Sequence, residues 1–223
     1  LKKLKISSGE NNNFPLIKEI AKLGKKTILS TGMSNIKDIK KCLSILNKYG
    51  LKKNKITILH CTTDYPVKSE NINLLAINDI KKNFPGYEIG FSDHSLGFEA
   101  ALGAVALGAK VIEKHITLNK KMEGPDHSSS SEPKEFMRFI KGIRKLEQSL
   151  GHGRKVILNC ELKNIRPARK SIVARTKIKK GERFTEKNIT TKRPADGISA
   201  EKWENILGKK AKRNFDTDEK ISL

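Results

Sequence analysis

The sequence has no long apolar run and few cysteines. The first absence argues against a membrane-spanning protein, and the second bears on the compartment in which the protein works. No stretch approaches the roughly 20 consecutive apolar residues that a transmembrane helix needs, so we expect no association with a membrane. The three cysteines are widely spaced, odd in number and fit no CxxC pattern, which is typical of a reducing compartment. We therefore predict a cytoplasmic location.

The chain is also poor in acidic and aromatic residues. It has 24 Asp and Glu against 46 Lys and Arg, a formal net charge of +22, and 5% aromatics. A basic patch would indicate a nucleic-acid-binding protein, but the lysines are spread along every segment, and Lys, Asn and Ile are over-used together. We interpret the charge as a compositional bias and predict no nucleic-acid partner, although its field favours a small anionic substrate.

What the first 150 residues do contain is a repeated alternation of short strands and amphipathic helices. The apolar patterns predict strands near residues 3–7, 26–31, 55–62, 88–93 and 110–117. They predict helices at residues 14–24, 34–50, 71–84, 97–109 and 133–151, with Ser34 as the N-cap of the second. Strict alternation predicts parallel strands and an α/β fold, either an open sheet or a barrel.

Polar residues lie at the carboxyl end of every predicted strand. They are Ser8, Glu10, Ser30, Thr63, Tyr65, Ser92, His94 and His115. In a barrel, all strands deliver functional groups to one rim, whereas an open sheet concentrates its ligands at one switch point. The distribution over five strands therefore favours a barrel.

The segment VIEKHIT, residues 111–117, places Glu113 and His115 on the same face of its strand, because strand side chains alternate. Strands buried between helix layers are usually apolar throughout, and a buried polar pair costs free energy unless it has a partner or a use. An acid and an imidazole on one face of this strand therefore indicate a partner or a functional use.

The alternation stops after Gly153. We predict a first domain at residues 1–150, a connecting segment at 151–167, and a second domain at 168–223. The second domain combines short strands and turns with one short helix, so we expect it to be mostly β.

Several motifs together resemble one family. They are SGE (8–10), STGM (30–33), HCTTDYP (60–66), GFSDH (90–94), GAVALGAKVIEKHIT (103–117), EGPDH (123–127) and KRPADGIS (192–199). In this order and spacing they resemble the bacterial sialic acid synthases, which include the N-acetylneuraminate, legionaminate and pseudaminate synthases. The resemblance implies a (β/α)8 TIM barrel joined to a small antifreeze-like (β-clip) domain. It also implies the condensation of phosphoenolpyruvate with an N-acetylmannosamine-type sugar and water to give a nonulosonic acid and phosphate.

The resemblance begins at what would be the fourth barrel strand. Because a full barrel takes roughly 250 residues, we expect a partial barrel, about strands 4 to 8, from a longer, N-terminally truncated chain that is incomplete as an enzyme. The family also implies a domain-swapped homodimer in which the antifreeze-like domain acts as a lid.

The resemblance assigns the metal to His94 and His115, in the motifs SDH and EKH. The implied ion is Mn²⁺, with Mg²⁺ or Co²⁺ as alternatives, and it would act as a Lewis acid on the sugar aldehyde. From the residues alone, each histidine could equally be a buried, hydrogen-bonded one. His60 is a rival ligand, but if Thr63 and Tyr65 face inward, as the resemblance implies, strand parity turns His60 toward the helices.

The resemblance implies that phosphoenolpyruvate is held by a cation and several hydroxyl groups, from Lys5, Ser8, Ser30, Thr63 and Ser92. Such groups suit a small, multiply charged anion. Thr63 stands where some family members have Asn. Ordinary strand-end polarity is the alternative interpretation of each serine.

On the sugar side, the resemblance implies contacts from Glu10, Tyr65 and Asp126, with Glu10 and Glu113 as the catalytic proton carriers. It also implies that Arg193 reaches the N-acetyl group from the partner subunit. The alternatives are a simple turn for the loop EGPDH and a solvated surface position for the arginine. A different function remains open at this point: a non-catalytic protein that binds carbohydrate or ice through the antifreeze-like domain.

Overall fold

The computed structural model describes residues 1–223, which divide into two units, Leu1–Gly153 and Arg154–Leu223. In the first unit five parallel strands form one sheet in chain order. The strands are β1 (Lys3–Ile6), β2 (Lys26–Ser30), β3 (Ile56–Cys61), β4 (Glu88–Asp93) and β5 (Ile112–Lys114). The helices are α1 (Phe14–Lys22), α2 (Ile36–Lys48), α3 (Ala76–Asn83), α4 (Glu99–Ala106) and α5 (Pro133–Leu150). The predicted alternation is confirmed.

One face of the sheet packs against the helices. Ile6, Leu29, Ile58 and Phe91 lie on this face and belong to the main apolar core together with side chains from the helices. Because strand side chains alternate, the residues between them project from the opposite face. The register then brings them into rows: Lys5 pairs with Ile28, Ile28 with Thr57 and Thr57 with Glu88 across four strands.

The sheet is strongly curved, with the helices on its outer face. Adjacent strands lie about 4.8 Å apart, so a flat sheet would separate β1 from β5 by about 19 Å. Yet Lys5 Nζ of β1 lies 3.0 Å from Glu113 Oε1 of β5, although three strands lie between them. The face opposite the helices is therefore concave, as the interior of a barrel is.

The start of α2 differs from the sequence-based prediction. Asn35, not Ser34, is the N-cap, and it forms a reciprocal capping box with Asp38. The Ser34 hydroxyl instead accepts from Asn11 Nδ2 at 2.9 Å and donates to the Gly32 carbonyl at 3.3 Å. The Ser34 hydroxyl therefore connects the loop after β1 to the loop after β2 and does not cap the helix.

The second unit has its own apolar core, which includes Ile172, Phe184 and Phe215. Its strands β6 (Ser171–Ala174) and β7 (Ile189–Lys192) pair antiparallel. Its helices are α6 (Asn159–Ala168) and α7 (Trp203–Ile206). α6 lies in the segment that the sequence suggested as a connection, and it groups with the second unit. No helix of either unit has both the length and the apolar character needed to cross a bilayer.

Candidate active site

The candidate site lies on the concave face at the carboxyl ends of the strands. Cys61 pairs in register with Ser92, and Ser92 pairs with Glu113, so the three side chains form a row across β3, β4 and β5. Ser92 and Glu113 are each followed two residues later by a histidine on the same face, His94 and His115. Strand parity therefore brings all five side chains to one rim.

Glu113 is the centre of a charged cluster. Its Oε1 accepts a hydrogen bond from Ser92 Oγ at 2.7 Å and lies 3.0 Å from Lys5 Nζ. The Lys5 and Glu113 side chains are about one third exposed, with relative accessibilities of 34% and 37%. The Lys5 ammonium, the Glu113 carboxylate and the buried Ser92 hydroxyl could therefore contact one ligand bound at the concave face.

His94 is buried, and its hydrogen bonds determine which ring nitrogen is available to a ligand. Its Nδ1 lies 2.8 Å from the Thr62 carbonyl and 3.9 Å from Cys61 Sγ. Because a carbonyl only accepts, Nδ1 carries the proton and donates it to Thr62. Nε2 of the neutral ring then keeps its lone pair, and its nearest hydroxyl, Ser92 Oγ, lies 3.5 Å away.

His115 lies beside His94, with the ring centres 5.3 Å apart and the planes nearly perpendicular. Tyr65 packs against both, at 4.1 Å from the centre of His94 and 5.5 Å from that of His115. His115 Nδ1 is 3.8 Å from Asp126 Oδ2, which is too long for a hydrogen bond. Asp126 itself adopts a positive φ of 68° in the loop EGPDH.

The two histidines fit a divalent metal ion. Two imidazoles that bind one ion at about 2.1 Å each have ring centres roughly 5 to 6 Å apart, and the 5.3 Å spacing falls in that range. The bond from His94 Nδ1 to a backbone carbonyl is the arrangement that orients metal-binding histidines in proteins. No cluster of three or more His, Cys, Asp or Glu side chains could hold a metal, so further ligands would have to come from substrate or water.

Cys61 and His94 influence each other's protonation. Burial raises the pKa of the Cys61 thiol, but contacts with His94 and Ser8 outweigh it and hold the pKa below its usual value. Burial lowers the pKa of His94, but contacts with Cys61 and the Thr62 carbonyl hold the pKa above its usual value. Burial and the negative charges of Cys61 and Asp126 raise the pKa of Tyr65. The rim therefore combines groups whose charges are closely coupled.

Hydroxyl groups line the side of the site near β1 and β2. Ser8 Oγ accepts from the Gly32 backbone N–H at 3.0 Å and lies 3.6 Å from Cys61 Sγ. Ser30 Oγ is buried without a hydrogen-bond partner, an arrangement that costs free energy in the absence of a ligand. A Cβ placed on Gly32 would meet both Thr63 Oγ1 and Ser8 Oγ, so both hydroxyls lie where a side chain at this position would be.

Two of the residues predicted for the site form hydrogen bonds within their own parts of the chain. Glu10 accepts from Asn13 Nδ2 at 2.7 Å in its own loop. Arg193 lies in the second unit, where its Nε donates to the Ala168 carbonyl at 2.9 Å. Their roles remain predictions.

His60 lies on the helix side of the sheet, as strand parity predicts. Its Nε2 donates to the Ile72 carbonyl at 2.8 Å, and its ring stacks on Phe91 with 5.8 Å between centres. Burial lowers the pKa of His60, although hydrogen bonds to backbone carbonyls oppose the effect.

Sequence reasoning missed Cys61. It has the same parity as Thr63 and Tyr65, which would have placed it on the concave face. The Thr62 carbonyl was also missed, because a backbone group that orients a side chain leaves no signal in the sequence.

The sequence matches two known families over separate ranges: the NeuB family over residues 1–155 and the SAF domain over residues 169–222. Over 221 residues it is 51% identical to N,N'-diacetyllegionaminic acid synthase of Campylobacter jejuni, covering 99% of this chain and 66% of that protein. Over 218 residues it is 38% identical to N-acetylneuraminate-9-phosphate synthase of Homo sapiens, covering 97% and 60%.

Among solved structures, a spore coat polysaccharide biosynthesis protein of Bacillus subtilis is 35% identical with a TM-score of 0.63, covering 99% of this chain and 66% of that one. The chain spans less than two thirds of the length of these three proteins. The five-stranded parallel sheet and these matches confirm the predicted fold, part of a (β/α)8 barrel followed by an antifreeze-like SAF domain.

Proposed function

Because this chain belongs to the NeuB family, we propose that the protein condenses phosphoenolpyruvate with an N-acetylmannosamine-type sugar and water, giving a nonulosonic acid and phosphate. The names of its relatives, synthases of legionaminic acid and of N-acetylneuraminate 9-phosphate, support this reaction. The observation that carries the proposal is the convergence of His94 and His115 beside the Lys5–Glu113 cluster.

We propose His94 and His115 as the ligands of a divalent metal ion, Mn²⁺ first, with Mg²⁺ or Co²⁺ as alternatives. The hydrogen bond from His94 Nδ1 to the Thr62 carbonyl, which leaves the lone pair on Nε2, and the ring spacing support this role. When bound, such an ion polarises the sugar aldehyde as a Lewis acid. The chain's part is to hold the two rings still, through the Thr62 carbonyl and the packing of Tyr65.

Phosphoenolpyruvate needs charge neutralisation and hydroxyl donors, and we propose that it binds beside Lys5. Ser8, Ser30, Thr63 and Ser92 would complete its site. The unpartnered Ser30 Oγ supports this proposal, because a ligand oxygen would satisfy a hydroxyl that is otherwise buried without a partner.

We propose that the sugar contacts Tyr65 and Asp126 on the other side of the histidines. The attack of the phosphoenolpyruvate methylene carbon on the aldehyde carbon forms the new C–C bond. Water then adds to the neighbouring carbon, which bears the phosphate group. The bond between that carbon and the phosphate oxygen breaks, and phosphate is released. Glu113, which Lys5 and Ser92 already orient, and Glu10 would carry protons to and from the reacting oxygens.

We further propose a cytoplasmic homodimer in which the antifreeze-like domain of one subunit covers the barrel of the other and supplies Arg193 to the sugar's N-acetyl group. The exposed Arg193 side chain and the SAF match support this role for the second unit. The alternative, a non-catalytic protein that binds carbohydrate or ice, has no support from the relatives, which are named as synthases.

The test is phosphate release by the whole protein with phosphoenolpyruvate, Mn²⁺ and a panel of N-acetylated hexosamines. We expect release with at least one sugar, and its loss in His94→Gln and His115→Gln. Thr57→Val, which removes a hydrogen bond at the opposite end of the sheet, is the matched control and should remain active. Absence of release with every sugar would contradict the proposed reaction.

A further inference from the structure

A buried ion pair connects the two strands that carry the histidines. Lys114 Nζ lies 2.8 Å from Asp93 Oδ2, and the two side chains are only 2% and 0% exposed. Asp93 and Lys114 are register partners in β4 and β5. Each immediately precedes one histidine, so the pair lies on the helix side of the sheet while His94 and His115 project from the concave side.

Both members of the pair form further hydrogen bonds. Asp93 Oδ1 accepts from the Ser95 backbone N–H at 2.9 Å and from Ser95 Oγ at 2.6 Å. Lys114 Nζ also donates to the Ser95 carbonyl at 2.8 Å. Ser95 directly follows His94, so these bonds hold the chain on both sides of that histidine and connect it to the residue before His115.

Stability alone does not explain an ion pair in this position. The helix side of the sheet is apolar, and a well-packed apolar pair of similar volume is often as stable as a buried ion pair or more so. What an apolar pair lacks is direction, because its contacts do not fix the distance between two backbone segments to within a few tenths of an ångström.

The two histidines require a fixed distance between their backbone segments. β5 pairs over only three residues, Ile112–Lys114, and β4 is its sole partner in the sheet. His115 lies just beyond the paired segment, and its ring is more exposed than that of His94. The Asp93–Lys114 contact is the last side-chain link between the strands before the two rings.

We propose that Asp93 and Lys114 are positioning residues, which hold His94 and His115 at the spacing that a shared divalent ion requires. This inference rests on the proposed metal role of the two histidines. Neither residue touches substrate or metal, and their effect passes through the register of β4 and β5.

The test compares two double variants of the full chain. Asp93→Leu/Lys114→Met fills the same volume without directional bonds, and Asp93→Asn/Lys114→Gln keeps hydrogen-bonding groups without charge. We expect the apolar variant to fold but to bind Mn²⁺ about tenfold or more weakly, as changes around metal ligands typically do. We expect the amide variant to recover part of the affinity. Thr57→Val, at the start of β3, where Thr57 Oγ1 donates to Glu88 Oε1 of β4, should leave the affinity unchanged.

A second measurement needs no metal. Nuclear Overhauser contacts between the ring protons of His94 and His115 report their spacing, and we expect them to weaken in the apolar variant and return in the amide variant. Unchanged contacts and unchanged Mn²⁺ affinity in the apolar variant would overturn the inference. If the unsubstituted chain binds no Mn²⁺, the proposed metal site fails, while the ring contacts still decide whether the pair positions the histidines.

Discussion

Single positions on the concave face are constrained by the neighbouring strands. A Cβ on Gly90 would lie 2.3 Å from the Val111 carbonyl oxygen and 2.5 Å from Leu59 Cδ2. Because the first of these is a backbone atom beside β5, relief requires the strand itself to move. Gly90 thus permits the close approach of β4 and β5 that brings the row of Ser92 and Glu113 together.

We expect Gly90→Ala to lower the free energy of unfolding by about 1 to 3 kcal/mol, as overpacking typically does, measured by urea denaturation. Gly9→Ala is the matched control. A Cβ on Gly9 would meet nothing within 4 Å, so its change should stay within about 0.5 kcal/mol. Equal stability of the two variants would contradict the close approach seen at Gly90.

His60 makes unfolding depend on pH. Burial lowers its pKa in the folded chain, so below the unfolded-state pKa of about 6.5 the unfolded chain takes up a proton that the folded chain does not. The free energy of unfolding should therefore fall as the pH drops from 7.5 to 5.5. We expect His60→Gln to show a smaller fall in urea denaturation at these two pH values. A steeper fall in the variant would show that His60 is protonated in the folded state.

For the helices and strands, the type of element and the face of each side chain could be predicted from periodicity, but the residues at which an element begins and ends could not. Alternation of side chains was enough to predict that Glu113 and His115 share a face, and the family resemblance supplied which face is the inner one and hence the outward direction of His60. The predicted strand 110–117 is shorter, Ile112–Lys114, because Ile116 leaves the sheet and bridges to Ser131. The contact between Lys5 and Glu113 was beyond prediction, since it depends on sheet curvature rather than on any local pattern.

The N-cap of α2 provides a test of the helix's local stabilisation. The Asn35 side chain accepts from the backbone N–H groups of Lys37 and Asp38. We expect Asn35→Ala to cost about 1 kcal/mol of unfolding free energy, measured in urea. Asn35→Ser keeps a capping oxygen and should retain most of the stability. A neutral alanine variant would show that another group caps this helix.

Over the whole molecule, each unit has apolar clusters of its own. The main cluster of the first unit lies between the sheet and its helices, a smaller one joins α4 to α5, and that of the second unit surrounds Phe184 and Phe215. The chemistry-bearing residues follow the same division, since the histidines lie in the first unit and Arg193 in the second. The division suits a lid that is built apart from the site it is proposed to cover.

We expect Phe184→Ala to destabilise the second unit selectively. Phe184 is 1% exposed, and a buried phenylalanine typically costs about 3 to 5 kcal/mol on truncation. Hydrogen exchange read by mass spectrometry should then show lost protection within residues 154–223, with residues 1–153 unchanged. Equal loss of protection in both units would mean that the chain unfolds as one cooperative body.

The most direct test of the account is pulsed electron paramagnetic resonance of Mn²⁺ added to the chain carrying ¹⁵N-labelled histidine. We predict coupling of one ion to two imidazole nitrogens, with one coupling lost in His94→Gln and the other in His115→Gln. Bound Mn²⁺ that shows no nitrogen coupling, or that keeps both couplings in either variant, would contradict the shared site.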